Sequence, residues 1–318
     1  GIRVASRLSA FKAREEQQDL ASIGRVLSVG QILEGSVRVA GDRLRVTAQL
    51  IDVESGYQLW SERYDREAAD VFAVQDEIAQ SVLEAVQANL SPGAGRVQQR
   101  QRVRNMEAYR HYLKGRYLRY TKNDHSRARQ EYERSVALDP DYGPAWVGVA
   151  ETTVMCAGYC LMAAGPAYRV AREALARAET LQGESAEGRY VEGMLAAVSY
   201  DWDTAIASLK RAIDLRPDHV QSLGWLGFVY AVLQRADEAL LQAEMAREAD
   251  PLAPYAYAMT ACIYAQLGRP AEGLSYAEQA AVIDEDNTLV VWILGKLRVA
   301  AGEYDSGIAA LERATALA

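Results

Sequence analysis

The chain has 318 residues, half of them hydrophobic and a quarter charged, with eight prolines and no low-complexity tract, which excludes long disorder. That length holds two ordinary domains, or one repeat array with an extra domain. The net charge of -8 is unevenly placed: residues 1–104 carry fourteen basic and fourteen acidic groups, so the excess acid lies beyond them and repels phosphate backbones, setting nucleic acid aside as a partner.

In chain order, Ile2 to Ala5 reads as a short strand. Leu20, Ile23 and Val26-Leu27 then fall at helical spacing behind Asp19, a capping residue. "QILEGSVRV" and "RLRVTAQLIDV" flank the turn Ala40-Gly41-Asp42 as a β-hairpin. In the second of these strands Leu44, Val46, Ala48 and Leu50 alternate with Arg45, Thr47 and Gln49, so one face is buried. Glu54-Ser55-Gly56 makes the next turn and "YQLWSERYD" a third strand. "ADVFAVQDEIAQSVLEAVQANL" reads as a long amphipathic helix with Asp70 near its positive end. Residues 1–90 therefore predict a small α+β domain. It holds no G-x-G-x-x-G, P-loop or G-x-S-x-G.

These stretches, with "RVASRLSAF" and "DVFAVQDEIA", resemble the TolB amino-terminal-like domain, which in bacterial signalling proteins commonly precedes tetratricopeptide repeats. Members usually open with a further strand and helix, of the form "AVLPF" followed by a "DGLTEEI"-like helix. No such unit stands in this sequence, so the expectation is a truncated domain with an uncovered sheet edge. Such an edge recruits a second chain, and homodimerisation through the N-terminal sheet follows as an expectation. The first residue is Gly1 and no signal peptide or apolar run near 18 residues is present, so the sequence reads as a piece of a longer protein.

"SPGAG" at 91–95 breaks the helix, and residues 91–104 read as a linker. Its arginines Arg96, Arg100, Arg102 and Arg104 read as a solvated segment. Beyond it a pattern recurs. Leu223, Leu226-Gly227, Tyr230, Ala239, Ala246 and Pro251 define one unit; Gly193, Ala205, Leu209, Ala212 and Pro217 stand 34 residues earlier. A helix hairpin cannot bury its own apolar stripe. Stacked hairpins can, if small residues stand where helices cross and large ones fill the gaps. This is similar to the tetratricopeptide repeat. Six helix pairs are expected over 105–318, one of them lengthened by about nine residues around 155–165. The fold class is mainly α: the resemblance implies a right-handed α-α superhelix, preceded by the small α+β domain. The final unit lacks a polar capping helix, so either the parent continues or Leu311 and Leu317 lie on an exposed face.

No constellation carries chemistry. His111, His125 and His219 sit in no H-E-x-x-H or H-x-H pattern. Cys156, Cys160 and Cys262 form no CxxC pair and no disulfide framework. Glu15-Glu16 and Asp76-Glu77 read as solvated helix faces. The expectation is no enzyme activity, no cofactor and no metal. The cysteines fit a reducing compartment, and the cytoplasm is expected. Among proteins of this architecture, kinase types place the region across a membrane and cyclase types keep it in the cytoplasm.

The resemblance implies that the first helix of each pair lines a concave groove. In that register the groove holds Tyr109, Tyr112, Arg116, Arg119, Tyr190 and Met194, then Phe228, Tyr255, Met259 and Cys262, and ends at Trp292 and Lys296. Its middle is apolar and aromatic, which suits a partner peptide or helix. The resemblance further implies fusion to a cyclase, kinase or winged-helix effector. A small-molecule sensor is the alternative, with the apolar segment 156–168 capping one end of the groove.

Overall fold

The structure, a computed structural model, describes residues 5, 7–16, 19–40, 43–67, 77–78, 81–82 and 105–317. The chain divides into two units, Gly1–Met106 and Glu107–Ala318.

In the first unit helices α1 (Arg7–Glu16) and α2 (Leu20–Leu27) precede strands β1 (Gln31–Ala40), β2 (Arg43–Asp52) and β3 (Gln58–Glu67). The Asp19 carboxylate caps α2 by accepting from the Ser22 amide at 2.8 Å. The strands form one antiparallel sheet in the order β1-β2-β3. Ala40 pairs with Arg43, so two residues connect the first hairpin, and the second turns through Gly56 at φ +70°. Leu44, Ala48, Leu50 and Tyr64 are buried on one face, as the alternation of β2 predicts; Ala13, Ile23 and Leu27 are also buried in this unit. Helix α1 is not foreseen by the sequence reading, because "RLSAFKAREE" carries only a weak apolar stripe. Of the strand expected at Ile2 to Ala5, only Ala5 is described, and it lies in no regular element. The helix expected over 69–90 lies mostly outside the described residues; its described positions 77, 78, 81 and 82 are helical. The linker at 91–104 lies outside them altogether.

The second unit contains twelve helices among the described residues, arranged as six hairpins. They are α3 (Met106–Tyr120) with α4 (His125–Leu138), α5 (Gly143–Gly158) with α6 (Ala164–Gln182), and α7 (Ala186–Val198) with α8 (Trp202–Leu215). Then come α9 (Val220–Val232) with α10 (Ala236–Ala249), α11 (Pro254–Gln266) with α12 (Pro270–Ile283), and α13 (Thr288–Ala300) with α14 (Tyr304–Leu317). Each hairpin turns through a residue of positive φ. Tyr200, Gln234, Gly268 and Gly302 occupy that place 34 residues apart, so the period is a repeated backbone geometry as well as a repeated sequence. Within hairpins the crossings are tight. A Cβ on Gly193 would stand 2.6 Å from Leu209 Cγ, which explains the glycine at that position. The alanines of the pattern (Ala205, Ala212, Ala239, Ala246, Ala277 and Ala280) are all buried.

The residues inserted around 155–165 form no long loop. They are absorbed by lengthening the second hairpin, whose helices run to 16 and 19 residues, leaving 159–163 as the connection. At the end of the last hairpin Leu317 is exposed and Leu311 half-buried.

A candidate binding surface on the repeat unit

The first helices α5, α7, α9, α11 and α13 lie side by side in the unit and form one wall, which α3 joins at its amino-terminal end through Arg119 and Glu151. At its amino-terminal end, Tyr109, Tyr112 and Tyr142 make an aromatic cluster. Tyr142 meets Tyr112 edge-on at 5.1 Å and Tyr109 at 6.3 Å. The exposed Arg116 guanidinium lies 5.9 Å from the Tyr112 ring centroid.

Arg119 is enclosed. Its Nε donates to Glu151 Oε1 at 3.1 Å and its Nη2 lies 2.9 Å from the same oxygen. Arg119 is 5% exposed and Glu151 3%. The Tyr120 hydroxyl donates to Glu151 Oε2 at 2.9 Å. Burial works against the Arg119 charge, but the Glu151 carboxylate together with the phenols of Tyr190, Tyr120 and Tyr255 outweighs it, and the guanidinium's pKa rises. Burial and the same carboxylate push the phenols of Tyr120 and Tyr190 up. Sequence reading missed Glu151. The available signal is that it is the one charged residue in the otherwise neutral helix α5.

In the middle of the wall Tyr190, Met194 and Met259 are buried. Tyr190 stands edge-on to His219 at 5.3 Å. Tyr255 and Phe228 are half-buried, and Phe228 meets Trp225 edge-on at 5.9 Å. The Tyr255 hydroxyl is buried without a hydrogen-bond partner. Half-buried Cys262 has its thiol pushed up to about 11, chiefly by burial. At the carboxy-terminal end Trp292 is 38% exposed, and the exposed Lys296 ammonium lies 4.3 Å from its ring centroid. The twelve residues of the expected groove thus divide. Arg116, Trp292 and Lys296 are exposed; Tyr109, Tyr112, Phe228, Tyr255 and Cys262 are half-buried; Arg119, Tyr190, Met194 and Met259 are packed inside.

The histidines have structural surroundings. His111 Nδ1 shares a 2.6 Å hydrogen bond with the buried Glu131 carboxylate, and His219 Nδ1 shares one with Ser222. His125 stacks on Tyr159 at 5.0 Å with both ring nitrogens buried and unpartnered. Burial first, then Arg119, pull its pKa down to about 2. Among the described residues no group of three His, Cys, Asp or Glu side chains could hold a metal ion. No described helix is long and apolar enough to cross a membrane. Between α13 and α14, a cavity of about 360 Å³ opens over Val291, Leu294 and Ala310, flanked by Arg298 and Arg313.

The repeat unit is an α-solenoid of stacked helix hairpins, and the tetratricopeptide repeat family matches its residues 190–254. A protein named putative adenylate cyclase 3, from Rhizobium meliloti (strain 1021), is 35% identical over 147 residues, 46% of this chain. The aligned part is 25% of that relative, so the chain spans about a quarter of its length. Among solved structures, a thermophilic TPR protein of Thermus thermophilus is 20% identical, with 63% of this chain and 98% of that one covered, at a TM-score of 0.49. YrrB, described as a TPR protein with an unusual peptide-binding site, is 22% identical over 58% of this chain and 90% of its own, at a TM-score of 0.34.

Proposed function

We propose that the chain is a non-enzymatic protein–protein interaction module of a larger bacterial signalling protein, and that its repeat unit binds a partner peptide or helix along the wall of first helices. The observation that carries this reading is the wall itself. It presents aromatic side chains at both ends, Tyr109 and Tyr112 at one and Trp292 with Lys296 at the other, on a solenoid scaffold. Likeness to a protein named as an adenylate cyclase supports a nucleotide cyclase as the effector controlled by the module. Homodimerisation through the N-terminal sheet is part of the proposal, since paired modules bring paired effectors together. The cytoplasm is the proposed compartment, supported by three free cysteines.

Peptides selected from a displayed library on the full chain test the groove. Phe228→Ala combined with Trp292→Ala is expected to weaken a selected peptide at least tenfold, with the helical circular dichroism unchanged. Undiminished affinity overturns the groove.

One observation favours a second reading, a small-molecule sensor. The Tyr255 hydroxyl and both His125 nitrogens are buried without partners, and both side chains feel the charge of Arg119. A ligand that supplies those hydrogen bonds binds only the folded chain and raises its melting temperature.

A further inference from the structure

The sheet of the first unit has an edge whose chemistry is self-complementary. In the order β1-β2-β3, β1 has a neighbour on one side only, and on the other its ten residues present a row of backbone groups that no strand pairs among the described residues. The register opposes Leu33 to Leu50, Gly35 to Ala48 and Val37 to Val46, so these six share a face. That face is closed over β2, where Leu50 and Ala48 are buried. It is open over β1, where Leu33 is 51% and Val37 65% exposed. Ile32, Glu34, Ser36 and Arg38 share the opposite face. Arg38 is exposed and has no side-chain partner among the described residues. Glu34 accepts from Arg14 and Gln49, and a carboxylate has room for further donors.

We propose that β1 pairs antiparallel with β1 of a second copy about a two-fold axis at Ser36, joining two three-stranded sheets into one of six strands. The inference rests on the sheet-mediated dimer proposed above and specifies its strand and register. A two-fold axis perpendicular to a sheet keeps each residue on its own face. Residues that meet across it must therefore be an even number apart, and the axis must pass through a residue. An axis at Glu34 or at Arg38 sets like charges opposite one another. An axis at Gly35 or Val37 leaves both charges opposite uncharged residues. The axis at Ser36 places Glu34 opposite Arg38 of the second copy, twice by symmetry. It also lays Val37 over Gly35 of the second copy, where no side chain obstructs it. Residues 1–104 carry equal numbers of acidic and basic groups, so no net charge opposes the approach of two such units.

The test is sedimentation of the full chain. The natural sequence is expected to dimerise. Arg38→Glu sets carboxylate against carboxylate at both places, and Glu34→Arg sets guanidinium against guanidinium, so each variant alone is expected to dimerise at least about tenfold more weakly. Mixed in equal amounts, the two variants regain unlike charges at both places and are expected to form a heterodimer, read by tagging one of them. Circular dichroism confirms that both are folded. A natural sequence that stays monomeric at high concentration overturns the sheet dimer and the register together. A dimer equally strong in Arg38→Glu, or variants that fail to complement, overturns the register while the sheet dimer stands.

Discussion

The two ends of the solenoid wall fill one backbone plan with different chemistry. Toward the amino terminus, α3, α5 and α7 meet through a buried ion pair and phenols: Arg119, Glu151, Tyr120 and Tyr190. Toward the carboxy terminus, α11, α12 and α13 meet through Ala258, Ala261, Ala277, Ile293, Leu294 and Leu297. The crossings demand small residues at fixed places in both halves, and both supply them. What stands between the crossings is free to vary. The apolar end needs only matched volumes, whereas the polar end needs every charge paired, so it is more stable to exchange of one alkyl group for another and more fragile to loss of a partner.

Breaking the ion pair is the strongest way to test this contrast. Arg119→Met leaves Glu151 charged and buried, and is expected to destabilise the chain by about 3–5 kcal/mol in urea denaturation. Arg119→Met with Glu151→Leu is expected to recover most of the loss. A loss under about 1 kcal/mol for the single variant would mean that the pair is not buried in solution.

Acid sharpens the contrast further. Burial depresses the pKa of His125 and of His219, and no histidine follows residue 219. The unfolded chain takes up these protons near pH 6.5, before the folded one does. The stability is therefore full above that value and is lost as pH falls toward the folded pKa, about 2 for His125. Each histidine contributes a loss of about 1.4 kcal/mol per pH unit in that window. His125→Phe keeps a ring against Tyr159 and is expected to remove one proton from the slope, measured by denaturation at a series of pH values. An unchanged slope would place the titration elsewhere.

The smallest effect belongs to the open end of the wall. Lys296→Met removes the cation above Trp292 and is expected to cost about 0.5–1 kcal/mol at most. A larger loss in the melting curve would show that this pair supports the fold rather than the surface.

The solenoid was legible in the sequence because its crossings are steric: Gly193 against Leu209 leaves no room for another residue type, so the period survives in the letters. The hairpin and the burial of Leu44, Ala48 and Leu50 were legible through alternation. Helix α1 was not, because its contacts follow no strong stripe. The Arg119–Glu151 pair was hidden for another reason. Its partners are 32 residues apart on different helices, and nothing local marks one as the other's counter-ion. The groove register set its residues on the first helices of the hairpins, yet periodicity cannot say which of them the neighbouring helices enclose.

The lengthened second hairpin has a steric consequence. At about 1.5 Å per residue, the 19 residues of α6 reach about 7.5 Å further than the 14 of α8 or α10. The row of second helices is therefore uneven, with a step between the second hairpin and the third. A long partner lying across that row would meet a shoulder at α6, which limits how far it can slide and gives the row a direction.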